Sequence, residues 1–318
     1  METAGIHHVT AIASEAQQNL DFYTGLLGLR LVKLTVDHDD PTTYDICYGD
    51  DLGTPGSILT FLLRPNESRG RQGSGQATAI SFSVPSGALD YWKDRFGSQG
   101  VASHGPVRRF NEEVLVTVDP DGLQVELVAH PGAEERGART GGPVPIQHGI
   151  RGLHSITITE RTPERMEWLL SHGLGLRRIG RDGRRTRFVA WEQAAGSIVD
   201  LIWEPEASRG TTAVGSIHHV AFRAPDEELQ EEWRRWLLRM ELHVTKIQDR
   251  RYFRSIYFQQ AGDVLMEIAT DGPGFTVDEP PERLGHALQL PQWLASHREA
   301  IRQALPKLRL PLDGLPGS

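Results

Sequence analysis

The feature that most limits what this chain can fold into is its resemblance to itself. Ile6-His7-His8-Val9 near the start recurs as Ile217-His218-His219-Val220 in the last third. With 13 histidines in 318 residues, chance supplies on the order of half an adjacent pair anywhere, so two in the same apolar frame mark equivalent positions of duplicated units. A third copy lies at an offset of 147: Leu27-Gly28-Leu29-Arg30 recurs as Leu174-Gly175-Leu176-Arg177, and the same offset carries His8 onto Ser155.

Each copy opens with an alternating, strand-like run and then shows a helix start signal. Ser14 with Gln17 fits a capping box, and Thr162 before Pro163 reads as an N-cap with proline in the first turn. Leu20, Tyr23 and Leu27 share one face of the first helix, and Leu229, Trp233, Trp236 and Leu237 one face of the last. Short β-branched and aromatic runs separated by Gly and Pro follow, which predicts βαβββ modules. Four are counted, at 5–65, 76–130, 150–206 and 214–270.

The predicted class is therefore α+β, with four βαβββ modules in two domains. The first two modules form an N-terminal domain, 1–135, and the last two a C-terminal domain, 150–318. A linker rich in Gly, Pro and charge separates them at 136–149. After the fourth module an extended loop leads to a C-terminal helix, with Trp293, Leu294, His297, Ile301 and Leu305 at helical spacing for packing on the surface.

Composition narrows the function. The 34 Lys and Arg against 42 Asp and Glu give a net charge of −8 with no long basic run, which disfavours a nucleic-acid partner. No stretch approaches the roughly 18 to 20 apolar residues of a membrane span, and the N-terminus lacks the regions of a signal peptide, so a cytoplasmic protein with a small-molecule partner is expected. The single cysteine, Cys47, excludes an internal disulfide framework and a cysteine zinc cage. Any metal must be held by His, Asp or Glu.

Aligning the last strands of the modules by pattern gives SILTFLL, LQVELVA, SIVDLIW and VLMEIAT. The column of Glu267 then holds Phe61, Glu126 and Leu201, and the column of His219 holds His8, either Ile80 or Ser81, and Ser155. Modules one and four together supply His8, His219 and Glu267, with apolar Phe61 in place of a fourth ligand; modules two and three supply only Glu126, read as structural. Two neutral imidazoles and one carboxylate, with the other coordination positions open, form the facial triad of non-haem Fe(II) oxygenases. Such a site keeps net positive charge to draw in an ionised phenol. Neighbouring strand residues point to opposite faces, so one histidine of each pair is expected to ligate, and the second is chosen.

These residues, together with KLTVDHDDPTTYDICYGDDLGTPGSILTF, DRRYFRSIYFQQAGDVLMEIATDGPGF and the closing LPQWL, make the chain resemble the glyoxalase, bleomycin-resistance and extradiol dioxygenase superfamily, the vicinal oxygen chelate fold. Within it the chain is similar to ring-cleaving dioxygenases of the hydroquinone and chlorohydroquinone type. The resemblance implies an Fe(II) enzyme, with Mn(II) as an alternative, that inserts both atoms of O2 into a hydroquinone- or catechol-type diol. Its partners would be the diol and O2, without nucleic acid or membrane, in a homo-oligomer or a monomer.

The resemblance places the metal ligands on His8, His219 and Glu267, outer or pocket residues on His7, Thr10 and His218, and a substrate-pocket arginine and tyrosine on Arg250 and Tyr257, with Arg251 the alternative if the strand is bulged. One departure concerns substrate rather than metal: Asp45 stands where a histidine is expected, and Asp37-His38 where a different polar pair is. Asp45 is read as a solvated strand residue, or else as a proton-handling group behind the ligands. Two rival functions remain at this stage. One is a glyoxalase-like isomerase or thiol transferase using a non-redox metal, and the other a metal-free binding protein of the same fold.

Overall fold

The structure is a computed structural model, and it describes all residues except 38–39, 192–193, 260–263 and 312–318. All four modules are present. The first comprises β1 (Ile6–Ala13), a short helix α1 (Ala16–Leu20) continued by a π-helical turn to Leu26, β2 (Arg30–Val36), β3 (Tyr44–Gly49) and β4 (Ile58–Leu63). The second comprises β5 (Gln76–Val84), α2 (Leu89–Ser98), β6 (Ser103–Arg109), β7 (Glu112–Val118) and β8 (Gln124–Ala129).

The third comprises β9 (Leu153–Glu160), α3 (Glu164–Trp168), β10 (Arg177–Asp182), β11 (Arg185–Val189) and β12 (Ile198–Trp203). The fourth comprises β13 (Ser216–Ala224), α4 (Glu227–Arg239), the two-residue strands β14 (His243–Val244) and β15 (Gln248–Asp249), then β16 (Phe253–Gln259) and β17 (Met266–Pro273).

The strands do not pair by neighbouring modules. One sheet runs β14-β16-β17-β13-β1-β4-β3-β2, with β15 also on β16, and so joins modules four and one; the other runs β10-β11-β12-β9-β5-β8-β7-β6 and joins three and two. The grouping of consecutive modules expected from sequence is therefore not followed by the hydrogen bonding. In each sheet the first strands of two modules pair antiparallel, β1 with β13 and β5 with β9. Each of these central strands also pairs parallel with the last strand of its own module. Edge strands of separate modules are thereby used up, which removes the liability of an open edge at the middle of the fold.

The helix stripes behave as their spacing predicts. Leu20, Tyr23 and Leu27 are buried, as are Trp233 and Leu237, while Leu229 and Trp236 pack half-buried against the core. The caps differ. Ser14 turns its hydroxyl to Asp121 Oδ1 at 2.5 Å instead of capping α1, and α3 begins after Pro163 with no side-chain cap. Asp226 does cap α4, accepting from the Leu229 amide at 2.8 Å. The 136–149 segment is without helix or strand, and Arg139 anchors it by donating to the Leu29 carbonyl at 2.7 Å.

The C-terminal segment begins as a 3-10 helix, Gln292–His297, before α5 (Arg298–Ala304). Three residues per turn rotate the stripe, so Ile301 and Leu305 are buried but Trp293 is 61% exposed.

Candidate metal centre

The ladder of the first sheet places the chemistry. His8 stands opposite Ala221, and Ala221 opposite Glu267, which in turn faces Tyr257 on β16. One row along, His219 stands opposite Thr10, Thr10 opposite Thr60, and Thr60 opposite Cys47 on β3. The carboxylate column is thus Thr60, not Phe61, in module one, and by the same register Glu126 opposite Ser81 and Asp200 opposite Thr157 in the other sheet. The sequence alignment was out by one residue in modules one and three, and a one-residue slip turns a strand's side chains to the other face. Phe61 is fully buried and packs on Tyr23 at 4.7 Å. The His8 column likewise falls on Ala79 in module two, opposite Thr157, instead of Ile80 or Ser81.

His8, His219 and Glu267 are brought together, each buried, with one potential ligand atom apiece lying within 4.8 Å of the others. Glu267 Oε2 is 2.9 Å from His219 Nε2 and 3.5 Å from His8 Nε2. That oxygen is shut off from water yet lacks a hydrogen bond of acceptable geometry. A buried carboxylate oxygen facing two imidazole nitrogens without N–H alignment is an arrangement that a cation satisfies, so the donor set fits a divalent metal held by two neutral histidines and one carboxylate. Burial alone would raise the Glu267 carboxyl, but the adjacent His8 and His219 outweigh it and hold it well below the ordinary range. Ser255 donates to its other oxygen.

The paired histidines touch even though they are sequence neighbours on a strand. His7 Nδ1 is 2.9 Å from His8 Nδ1, and His218 Nδ1 is 2.8 Å from His219 Nδ1. Strict alternation forbids this, and the β1–β13 ladder explains it: its register shifts once between Ile6 and His8 and again opposite His218, so each outer histidine is the extra residue of a β-bulge. A bulge re-aims its side chain. His8 and His219 therefore each have Nδ1 engaged, which leaves Nε2 toward Glu267 and fixes the ring, as an outer partner does for a histidine that binds a metal. Burial and the His219 charge lower the His218 imidazole to about 4, and burial lowers His7 well below its ordinary value, so both are neutral at neutral pH.

A cavity of about 270 Å³ opens onto His8 and His219, with Glu267 fully buried behind them. Phe253, Leu62, Leu265 and Phe275 supply apolar walls; Thr10, Asp45, Cys47, His218, Arg250 and Tyr257 supply polar ones. Arg250 Nε donates to the Tyr257 hydroxyl at 3.2 Å. Burial and the Glu267 charge raise that phenol, which therefore keeps its proton. Arg251, in a left-handed conformation (φ 70°), turns away to Asp278 at 2.7 Å. Asp45 is not a solvated strand residue, because its carboxyl lines the cavity, where burial and the Asp37 charge push it up to about 7. His38 lies outside the described residues.

Sequence reasoning missed Ser255, Thr60 and Phe253, as well as Thr35 and Arg64, which form a wall of the cavity with Asp37. Ser255 lies two residues before Tyr257, on the same face of β16, and alternation alone could have found it.

That cavity wall is closed by a buried clasp. Lys33, fully buried on β2, reaches Asp278 at 2.6 Å, Glu279 and the Phe275 carbonyl at 3.2 Å, with the Tyr252 ring 4.9 Å beneath its ammonium. The extended loop after β17 is thereby tied to module one.

Among the described residues, the second sheet has no triad at the equivalent place. Arg109 donates two bonds to Glu126, at 2.5 and 2.7 Å, and Arg187 two to Asp200, at 2.8 and 3.0 Å. The guanidinium groups supply the positive charge these buried carboxylates require. A larger cleft of about 870 Å³ near the linker contains Glu112, His130, Arg136, His154 and Arg187 but none of the triad. Its His154 and Arg187 both bind Glu112.

Comparison with known proteins is consistent along the chain. Residues 5–127 match the model of the Glyoxalase/Bleomycin resistance protein/Dioxygenase superfamily. "Putative ring-cleaving dioxygenase MhqO" of Bacillus subtilis (strain 168) is 40% identical over 306 residues, covering 96% of each chain. "Chlorohydroquinone/hydroquinone 1,2-dioxygenase" of Sphingobium indicum is 31% identical, covering 95% of each. A crystal structure of a "putative dioxygenase from Bacillus subtilis subsp. subtilis str. 168" superposes with a TM-score of 0.93 at 39% identity, covering 98% of this chain and 99% of the other.

Proposed function

Since the chain belongs to the ring-cleaving dioxygenases of the glyoxalase, bleomycin-resistance and dioxygenase superfamily, we propose that it is a non-haem Fe(II) enzyme of the extradiol type that opens hydroquinone- or catechol-type diols. The observation that carries this reading is the convergence of His8, His219 and Glu267 beside one small cavity, which the two histidines line, with Thr60, a weak ligand, where a second carboxylate would make a fourth ligand. Mn(II) is the alternative metal, because such oxygen and nitrogen donors follow availability as well as affinity.

When bound, a redox-active divalent metal would supply the Lewis acidity that ionises a phenol and the path by which ring electrons reach O2. The protein's own residues do the rest. Phe253, Leu265 and Phe275 flank a ring and exclude water. The Arg250 guanidinium favours the phenolate over the phenol and stabilises oxyanion charge as the ring opens. Tyr257, protonated and held by Arg250, donates a hydrogen bond toward the same region. Neutral His218 and the Thr10 hydroxyl border the reacting side of the cavity, where an imidazole can take up and return a proton. The carbon–carbon bond next to a hydroxyl breaks, and both atoms of one O2 enter the product.

The test is oxygen consumption by anaerobically iron-loaded protein offered hydroquinone, methylhydroquinone, chlorohydroquinone and catechol, with His8→Ala as control. Uptake that the substitution abolishes, with two labelled oxygens retained in the product, is expected. Absence of uptake by iron-replete protein would sink the proposal.

A further inference from the structure

The dioxygenase reading leaves open what lies at the end of the cavity away from the triad. There the sheet places Asp45. It sits on β3, two strands or roughly 10 Å from β1, and one step further along than Cys47, the residue level with Thr10 and His219. Its carboxyl opens into the same cavity as His8 and His219.

The charged neighbours that might satisfy Asp45 have other partners. Arg64 holds Asp37 at 2.8 Å, and Arg250 holds Tyr257. Among the described residues the only polar contact of the Asp45 side chain is the Cys47 thiol, at 4.0 Å, the weak end of what a thiol can donate. A carboxyl half-buried in a pocket and lacking a strong partner is costly unless a ligand completes it. Asp45 can accept when ionised and donate when protonated, and burial sets it near the balance of the two. A hydroxyl is the group that answers both states, because it is donor and acceptor at once. A methyl or halogen answers neither, and a substrate carboxylate would meet the charges of Asp37 and Asp45.

Resting on the proposed function, we infer that Asp45 is the specificity-determining residue of the pocket: it receives the second hydroxyl of the substrate, and so selects rings whose hydroxyls lie at opposite ends. A diol with adjacent hydroxyls turns both toward the triad and leaves Asp45 unanswered.

The experiment is anaerobic calorimetric binding of hydroquinone, phenol and catechol to the full-length, metal-loaded protein, wild type against Asp45→Leu and Asp45→Asn. Wild type is expected to prefer hydroquinone over phenol by about tenfold or more. The preference should collapse in Asp45→Leu and survive in part in Asp45→Asn, with catechol binding little changed. An equal loss of hydroquinone and catechol binding, or an unchanged hydroquinone-to-phenol ratio in Asp45→Leu, would overturn the assignment. Should Asp45→Leu fail to fold, the wild-type ratio still decides, since no preference over phenol also overturns it. Wild-type protein that discriminates through Asp45 yet consumes no oxygen would remove the dioxygenase reading and leave the role of Asp45 standing.

Discussion

Thr60 stands to Thr10 as Glu267 stands to Ala221: each lies directly across a parallel strand pair, one in each half of the same sheet. The two halves are alike in backbone and differ in whether that point carries a ligand. Thr60→Glu is therefore expected to supply a fourth ligand, a second carboxylate oxygen, strengthen metal retention against a chelator, and suppress oxygen uptake by closing an open coordination position. Metal analysis after dialysis against chelator, alongside oxygen consumption, checks both halves of this; weaker retention would mean that the Thr60 position does not face the ion.

On the proposed reading, the outer histidines would act on a bound metal through their neighbours. His7→Leu removes the group that engages His8 Nδ1 at 2.9 Å and should weaken metal affinity by about 10- to 100-fold without removing a ligand. Competition titration with a chromophoric chelator gives the number, and an affinity equal to that of wild type would leave His7 as packing alone.

Much of this was legible beforehand, and the exceptions have a common cause. The His-His repeats located the units, and Glu267 followed from them. What strand pattern could not supply was registry. Apolar runs such as SILTFLL align equally well one residue off, so Thr60 and Asp200 were mistaken for Phe61 and Leu201. Bulges are similarly invisible, which is why His7 and His218 posed an alternation problem that the ladder resolves. Module pairing depends on contacts over 200 residues apart in the chain, such as Val9 with Val220, and no local signal reports these.

In the second sheet, Arg109→Met strands the fully buried Glu126 carboxylate. A loss of about 3 kcal/mol is expected, moderated by the bonds from Ser81 and Gln124 that remain. Pairing it with Glu126→Leu should recover most of the loss. Urea denaturation of the single and double variants tests this, and additive losses would refute it.

Lys33→Met should unfasten the loop that carries Phe275, because Asp278 and Glu279 lose their buried cation together. Faster amide exchange across 275–284 and a raised KM for the diol are expected, with kcat less affected. Unchanged exchange would show that the loop is held by its apolar contacts.

Acid should loosen the fold through His130. Burial, then the neighbouring His154, hold that imidazole down at about 4, while in the unfolded chain it titrates near 6.5. Between those values the unfolded state binds the extra proton, so stability rises with pH across the window and is lost as pH falls through it. His218 has the same sign, and Asp45, raised to about 7, the opposite one. Comparison with a variant isolates the effect: His130→Asn should lose less melting temperature than wild type between about pH 6.5 and pH 4.5. An equal loss would assign the acid sensitivity elsewhere.

The bidentate grip of Arg109 on Glu126 has a consequence for how the molecule ages. A guanidinium is tethered to the chain and cannot be dialysed away, whereas an ion held by His8, His219 and Glu267 can depart. One half of the duplication has thus made its counter-charge hereditary, while the other, on the proposed reading, would acquire its own from the surroundings each time a new chain is made. Starved of metal, the molecule would keep one sheet in full order and find the weak point of its architecture at the other.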